Sequence, residues 1–577
     1  MIFSNFIRKL HKLASDQVLR QWLLYRLIGR VSGPLDFTPH FPPYLNEVLL
    51  SDLQTGILPD NFQALSSTLP QGSIELPLPG LNLKVNPNEE QEIFQRSYDD
   101  IEVLLALHRF SWLPLSGNSA EVCNWVQALW SVWRKNFGDT DKDWAWHPYT
   151  ASERVINIID FAEQYGLPNP LDDTKVVLKR HAELIFRQLE YFGDHNTSNH
   201  LSNNGRGLYR LGLALDIQWA IDAGFKILEH ESKRILLESG VLREGSSHYH
   251  FLIARNFTDV WLAARRYNRA EEPILKGIAN RALAVVARLV LPGGVPLIGD
   301  ISPDCPPEFL LGLTGNKTGW VARLSDDDRQ AVLGLINDLH PIDSQKLAID
   351  GWHCFSYGHW AGIWHCAPKG WTEAPGHGHQ DMGSFELHFD DIPVIVDPGR
   401  GVYGEDKSAA YYCSADVHNT VTVSGYGPYP TNKPYYDDAF RALISGGLPE
   451  IFSRHDKVCL SHNGFQHLKG IGGHIRQWQF SENKMQLFDR IQGKGNHSIF
   501  RRFITPLKAE KKSDGILLTH QGKSGVQSFL LRTFNSSAVI SELPLWHAYG
   551  KSFDGFLITI SDETALPWSG EVNLEVI

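Results

Sequence analysis

The sequence predicts a helical domain followed by an antiparallel β domain, and three observations predict it. The chain has 577 residues, more than one hydrophobic core of ordinary size takes in. From about residue 95 to 340, block after block places apolar residues near i, i+3, i+4 and i+7, the period of an amphipathic helix. Near residue 345 that period gives way to short runs of β-branched and aromatic residues bounded by turn residues, which read as strands.

Residues 1–94 read as a helical and irregular extension. Within it, Leu19 to Ile28 is apolar but interrupted by Arg20, Gln21 and Arg26, an amphipathic helix pattern. The opening Met1-Ile-Phe-Ser-Asn-Phe-Ile-Arg-Lys-Leu puts apolar residues before basic ones, the reverse of a secretory signal. A cytoplasmic protein is the expectation, with periplasmic or secreted placement left open. No run approaches membrane-spanning length.

Residues 95–345 carry the helical blocks Ile101–Trp112, Ala120–Trp133, Ser152–Tyr165, Lys175–Phe192, Gly205–Ala223 and Asn256–Tyr267. Gly166-Leu-Pro-Asn-Pro and Leu291-Pro-Gly-Gly punctuate them. Repeated helix pairs of this kind build a bundle, a solenoid or a closed α/α toroid, and periodicity does not choose among them. Residues 346–577 carry the strands. Cys354 to Trp364 and Ser384 to Phe389 alternate, and the second runs through Asp390-Asp391 into Ile392-Pro-Val-Ile-Val as a hairpin. Thr420-Val-Thr-Val, Gln477-Trp-Gln-Phe and Lys484-Met-Gln-Leu-Phe continue the pattern. A cleft between the two domains is the natural place for a site.

With 42% hydrophobic and 21% charged residues, the composition is that of a soluble globular protein. A net charge of -11 without a basic stripe excludes a typical nucleic-acid partner. It also means that a polyanionic substrate would need a locally basic cleft on an acidic body. The 17 Trp, 18 Tyr and 29 Phe suit sugar faces and protein cores alike. Six scattered cysteines without a CxxC pair predict reduced, mostly buried thiols.

Three polar clusters carry the chemistry. The first, Asn196-Thr-Ser-Asn-His-Leu-Ser-Asn-Asn-Gly-Arg206, reads as an amide-rich loop just before a helix. The second, Arg243-Glu-Gly-Ser-Ser-His-Tyr-His250, reads as another polar loop feeding a helix. The third, Gly376-His-Gly-His-Gln-Asp-Met-Gly-Ser384, places His377, His379 and Asp381 on one side if it is strand-like. Histidine with carboxylate is also metal-ligand chemistry, and Asp397 and His418, at the ends of neighbouring strands, are positioned to complete such a site.

Taken together, Asn199-His-Leu with Asn204-Gly-Arg206, Glu244 to Tyr249-His250, Gly376-His-Gly-His-Gln-Asp with Ser384-Phe-Glu-Leu, Val396-Asp-Pro-Gly and His418-Asn-Thr-Val resemble the heparinase II/III superfamily. The resemblance covers roughly residues 140 to 425, in the family's order. It implies an N-terminal incomplete α/α toroid and a C-terminal antiparallel β-sandwich with the active site where they meet. It also implies a polysaccharide lyase that cleaves a uronic-acid-containing glycan, such as a glycosaminoglycan, alginate or bacterial exopolysaccharide, by β-elimination. Carried over by position, Asn199 and His200 would meet the substrate carboxylate, Tyr249 would be the catalytic tyrosine and His377 the catalytic histidine. Trp146, His147, Tyr149, Arg154, Asn204, Arg206, Glu244 and His248 would line the substrate path. His379, Asp397 and His418 match positions that hold a structural divalent metal, often zinc. The sequence departs from the family pattern before His418, where Cys413-Ser-Ala-Asp-Val replaces the usual Arg-Ser-Thr, and before Tyr249, where Arg-Ser-Pro is missing.

Elimination across a uronate removes a weakly acidic proton alpha to the carboxylate. The barrier falls if donors such as Asn199 and His200 neutralise that carboxylate, each such donor being worth roughly a hundredfold or more in rate. A base takes the proton, and an acid supplies one to the departing glycosidic oxygen. His377 or an ionised Tyr249 suits the first role and Tyr249 the second. Two rival readings are a metal-dependent hydrolase built on His377, His379 and Asp381, and a non-catalytic glycan-binding or assembly protein of polysaccharide biosynthesis on an old lyase fold.

Overall fold

The structure is a computed structural model describing residues 16–31, 38–45, 62–141, 143–340, 342–404, 407–523, 525–534 and 536–577. The opening decapeptide read for an export signal lies outside the described residues. Helix α1 (Gln17–Leu27) begins at Asp16, whose carboxylate accepts the Leu19 N–H. Its Trp22 packs on Tyr435 with ring centroids 4.5 Å apart, so α1 docks on the β domain. A hairpin of β1 (Ile74–Leu78) and β2 (Leu81–Val85) follows in the stretch that reads as helical and irregular. Two five-residue strands around Pro79-Gly80 carry too few alternations to stand out.

The helical domain runs α2 (Ile101–Arg109), α3 (Ala120–Phe137), α4 (Pro148–Tyr165), α5 (Leu171–Arg187), α6 (His200–Leu215), α7 (Gln218–Ile235), α8 (Ser247–Arg266) and α9 (Glu272–Val286). Helices α4, α6 and α8 are buried almost all round, whereas α3, α5, α7 and α9 bury one stripe. The first set is therefore the inner ring and the second the outer ring of an α/α toroid. The single block expected over Gly205–Ala223 is two helices. Asp216, in the left-handed region at φ 53, ends α6, and α7 starts two residues later. The apolar period runs through the turn because both helices bury faces against the same core. They approach closely at glycines: a Cβ on Gly224 would lie 2.5 Å from the Tyr209 nitrogen, and one on Gly205 2.6 Å from Ile227 Cγ2.

The inner ring is polar at its centre. Arg206 donates to Glu153 at 2.8 Å and to Asp259 at 2.7 Å, and Arg210 pairs with Asp259 and Asp160. These pairs tie α4, α6 and α8 together side by side.

The β domain comprises β3 (Trp352–Tyr357), β4 (Trp360–His365), β5 (Ser384–Phe389), β6 (Ile392–Ile395), helix α10 (Lys407–Tyr412), β7 (Val421–Val423), β8 (Glu450–Arg454), β9 (Lys457–His462), β10 (Ile471–Ser481), β11 (Lys484–Gly493), β12 (Asn496–Thr505), β13 (Lys508–Lys512), β14 (Gly515–Gly522), β15 (Gly525–Thr533), β16 (Ser537–Ala548), β17 (Lys551–Ala565) and β18 (Trp568–Val576). Their pairing is antiparallel throughout. One sheet has the order β13-β14-β15-β18-β11-β10-β9-β8, a second β16-β17-β12-β7, and β3 to β6 form a meander. The meander is fastened to the second sheet by Val396 N–H to the Ile504 carbonyl at 3.0 Å. Alternation along β10 and β11 sends Trp478, Phe480, Met485 and Leu487 inward, where Trp478 meets Trp364 at 5.5 Å and Phe385 at 5.4 Å. This is a sandwich.

The domains are stitched at the cleft by backbone bonds. His377 N–H donates to the Glu244 carbonyl at 2.7 Å, Asp300 N–H to the His377 carbonyl at 2.9 Å, and Ile301 N–H to the Arg400 carbonyl at 3.0 Å. All six cysteines are free thiols, with Cys123, Cys305 and Cys366 buried and the others half-buried. Among the described residues no helix is long and apolar enough to cross a membrane.

Candidate active site

The amino-terminal ends of α4, α6 and α8 converge on one spot, and a loop of the β domain closes over it. Ser246 caps α8 by accepting the Tyr249 N–H at 3.1 Å, which sets Tyr249 in the first helical turn. Helix α6 begins at His200, so Asn204 and Arg206 lie inside the helix and not in a loop before it. The Gly376–Gly383 segment is turns and bends, and the strand begins only at Ser384. Its side chains therefore do not alternate. Asp381 turns away to accept His365 Nδ1 at 2.8 Å, while His377 and His379 both face Asp300. The hydrolase set of His377, His379 and Asp381 is thus not assembled as a single ligand group.

Gly245 explains how the loops meet. At φ +73, with Gly378 Cα 3.0 Å from where its Cβ would be, it lets the 244–246 turn lie flat against the 377–378 backbone. The His377 ring then stacks on Tyr249 with centroids 3.5 Å apart and planes 10° from parallel. His377 Nδ1 lies 3.1 Å from Asp300 Oδ2, and its Nε2 lies 3.4 Å from Asn199 Nδ2. Asn199 is clamped by Glu244, which accepts its backbone N–H and its Nδ2, both at 2.7 Å.

Asp300 also accepts from His379 Nε2 at 3.0 Å and from Arg400 at 2.9 Å. Burial works against its charge, but the His377 and His379 rings outweigh it and hold the carboxyl far below the usual carboxylate range. That carboxylate takes the hydrogen bond of His377 Nδ1, which turns Nε2 to the other side, 3.5 Å from Glu244 Oε2.

The Tyr249 hydroxyl lies 2.8 Å from that of Tyr403, which in turn donates to the Ile301 carbonyl at 3.2 Å. Tyr403 having only one proton, Tyr249 is the donor of the pair. Burial, then the Asp304 carboxylate, push the Tyr249 hydroxyl well above its ordinary value, so it is a phenol at neutral pH. On the other side, His200 Nδ1 lies 2.8 Å from Glu190 Oε1, with the imidazole half-exposed. Burial opposes its charge, yet the Glu190 carboxylate raises the His200 pKa above the usual imidazole value. His147 lies 3.5 Å from the same carboxylate, and the Tyr149 ring sits 4.5 Å from His200, its hydroxyl donating to Asp304 at 2.5 Å.

Asn199, His200, Tyr249 and His377 therefore come together. His147 and Tyr149 stand beside them. Other residues expected on the substrate path are enclosed and have different work. Trp146 and Arg154 are 1% and 0% exposed; the guanidinium lies 4.0 Å above the Trp133 ring and donates to His181 at 2.9 Å. Asn204 donates to Glu190 at 3.1 Å, Arg206 belongs to the inner-ring ion pairs, and Glu244 holds Asn199. His248 accepts the Ser302 N–H at 2.9 Å from a buried position. These side chains are buried and bonded to protein groups, as Asn199 itself is at 1% exposure. Sequence reasoning missed Asp300, Tyr403, Glu190 and Arg400. Arg400 adjoins the Val396-Asp-Pro-Gly motif, but Asp300 and Tyr403 stand in loops with no pattern to mark them.

Ligand atoms of His379, Asp397 and His418 lie within 4.8 Å of one another, all buried. His418 Nε2 faces the Tyr412 carbonyl at 3.0 Å and so carries a proton, turning Nδ1 toward Asp397 Oδ2 at 2.8 Å. His379 uses Nε2 on Asp300 and leaves a buried Nδ1 without a partner. Two imidazole nitrogens and a carboxylate aimed at one point fit a divalent cation.

Residues 341–551 match the family model described as heparinase II/III-like, C-terminal. Among solved structures the chain is similar to a heparinase III, at 15% identity and a TM-score of 0.63, covering 84% of this chain and 79% of that one. A second heparinase III superposes with a TM-score of 0.57 at 16% identity, covering 87% and 86%. The heparan sulfate lyase of Pedobacter heparinus gives 0.52 at 16% identity, covering 99% and 90%. At such identities the likeness establishes a shared toroid-plus-sandwich fold. No curated protein matches the sequence.

Proposed function

We propose that this chain, whose residues 341–551 form a heparinase II/III-like C-terminal domain, is a polysaccharide lyase that cleaves a uronate-containing glycan by β-elimination. The observation that carries the reading is the pairing of an imidazole held through Nδ1 by Asp300 with a neutral phenol stacked on it at 3.5 Å. Base and acid thus stand side by side.

In this reading the substrate carboxylate lies against the His200 imidazolium and the Asn199 amide, which offset the charge that builds on it as the α-proton leaves. His377 Nε2 takes that proton. The electron pair forms the carbon–carbon double bond, the bond to the glycosidic oxygen breaks, and Tyr249 gives its proton to that oxygen. The imidazolium and phenolate are reset through solvent. Tyr403 holds the Tyr249 hydroxyl in place until the glycosidic oxygen replaces it as acceptor. A cation on His379, Asp397 and His418, for which zinc is our choice, would supply a fixed positive charge that locks the loop carrying His377. The solved structures of similar fold include enzymes named for heparin and heparan sulfate, which puts glycosaminoglycans first among the substrates to try, ahead of alginate and bacterial exopolysaccharides.

Product mass tests the reaction class. Elimination splits an oligosaccharide into two pieces whose masses sum to the substrate. Pieces that together exceed it by one water would mean hydrolysis, and an oligosaccharide bound but intact would mean a glycan-binding protein.

A further inference from the structure

Beside the three-ligand set described above lies a second one that contains a thiol. Cys413 follows α10, and its carbonyl accepts the Gln380 N–H at 3.0 Å, which pins the cysteine to the His379 loop. Its Sγ, an Asp300 oxygen and a His379 nitrogen lie within 4.8 Å of one another. Tetrahedral zinc with bonds of about 2.0–2.3 Å needs its ligand atoms about 3.5 Å apart. His379 Nε2 and Asp300 Oδ1, at 3.0 Å, are already near that spacing, and the Cys413 thiol stands within 4.8 Å as the third ligand. The two sets share only the His379 ring, Nε2 turned to Asp300 and the unpartnered Nδ1 turned the other way. Thiolate, imidazole and carboxylate together favour zinc, cobalt or cadmium over magnesium or calcium.

Occupation of this set has a consequence for the site. Asp300 is the carboxylate that orients His377 and pairs with Arg400. A cation on Oδ1 takes the oxygen that Arg400 now pairs with and draws charge from the carboxylate whose Oδ2 holds His377 Nδ1. Arg400 opposes such a cation, but the thiolate and carboxylate bring two negative charges, and the guanidinium keeps its Nε bond to the Ala409 carbonyl at 3.1 Å. We infer that Cys413, His379 and Asp300 form an inhibitory site for a thiophilic divalent cation, in which metal binding to Asp300 Oδ1 weakens the hold of Oδ2 on His377. Binding sends the Cys413 thiol proton to solvent and moves the His379 proton from Nε2 to Nδ1, with no change of oxidation state, so the two ligand sets are alternatives for the His379 ring. The metal-binding half stands independently; the inhibitory half rests on the lyase reading.

Cobalt(II) is the probe, added to the full chain under reducing conditions. The wild type gains a near-ultraviolet thiolate-to-cobalt band that is abolished in Cys413→Ser and in Cys413→Ala. A band that survives both substitutions, or none in the folded wild type, overturns the site whatever the enzyme does. If the glycan assays give activity, excess zinc lowers turnover at least about tenfold more in the wild type than in Cys413→Ser, a ratio worth about 1.4 kcal/mol. Equal inhibition of the two would overturn the regulatory half while leaving the metal site standing.

Discussion

At the residue scale, the site works by fixing protonation states. The Glu190 carboxylate, 2.8 Å from His200, favours the charged form of the imidazole. The folded pKa lies above the ordinary imidazole value, so the ion pair's contribution is fully present below the unfolded pKa and is lost as pH rises through the folded one. The same rise removes the charge that meets the substrate carboxylate, so kcat/KM falls on the alkaline side through a rising KM. Glu190→Gln lowers the His200 pKa and moves that alkaline limb to lower pH. A pH profile of kcat/KM that does not move would separate Glu190 from the limb. Tyr403→Phe removes the acceptor that holds the Tyr249 hydroxyl at 2.8 Å. One neutral hydrogen bond is worth about 1 kcal/mol, so kcat falls roughly fivefold to tenfold, far less than for loss of an acid–base group. A loss as large as that of Tyr249→Phe would place Tyr403 in the proton transfer itself.

At the element scale, the inner helices carry polar residues for two different purposes, and this is where sequence legibility ended. The motifs at Asn199-His200, Tyr249 and His377 are dense and ordered, and the helix-to-strand change near residue 345 was plain from the period alone. A polar residue on an inner toroid helix, however, looks the same in sequence whether it faces the cleft or a neighbouring helix. Arg154 and Arg206 read as substrate contacts, yet they are 0% and 1% exposed. Asp300 and Tyr403 reach the site only because the 299–301 and 400–403 loops pair across the domain boundary, a placement set by long-range backbone bonds that no local pattern encodes. The buried arginines make a stability prediction. Arg206→Leu leaves Glu153 and Asp259 with an uncompensated buried charge and costs about 3–5 kcal/mol in denaturant unfolding. A loss under about 1 kcal/mol would mean that Arg210 alone suffices to neutralise the cluster.

At the scale of the whole molecule, the proposed reaction takes its base from a loop of the sandwich and its acid and carboxylate-binding groups from the toroid. Activity therefore depends on how firmly the 377–381 loop is held. His379, Asp397 and His418 lie directly behind it, and a cation there joins three segments of the β domain. His418→Ala lowers bound metal and Tm together, read by elemental analysis and calorimetry. Unchanged metal content would remove His418 from the ligands.

Elimination with Tyr249 as the acid is read from ultraviolet absorbance, because a new double bond conjugated with the carboxylate absorbs and a hydrolysed end does not. Incubated with heparan, chondroitin, hyaluronan, alginate and an acidic bacterial exopolysaccharide, the wild type produces a steady rise on at least one. Tyr249→Phe, folded as judged by an unchanged Tm, loses that rate by about 10²–10⁴-fold. Cleavage without absorbance would mean that the protein is not a lyase, and near-normal absorbance growth in Tyr249→Phe would mean that Tyr249 is not the acid.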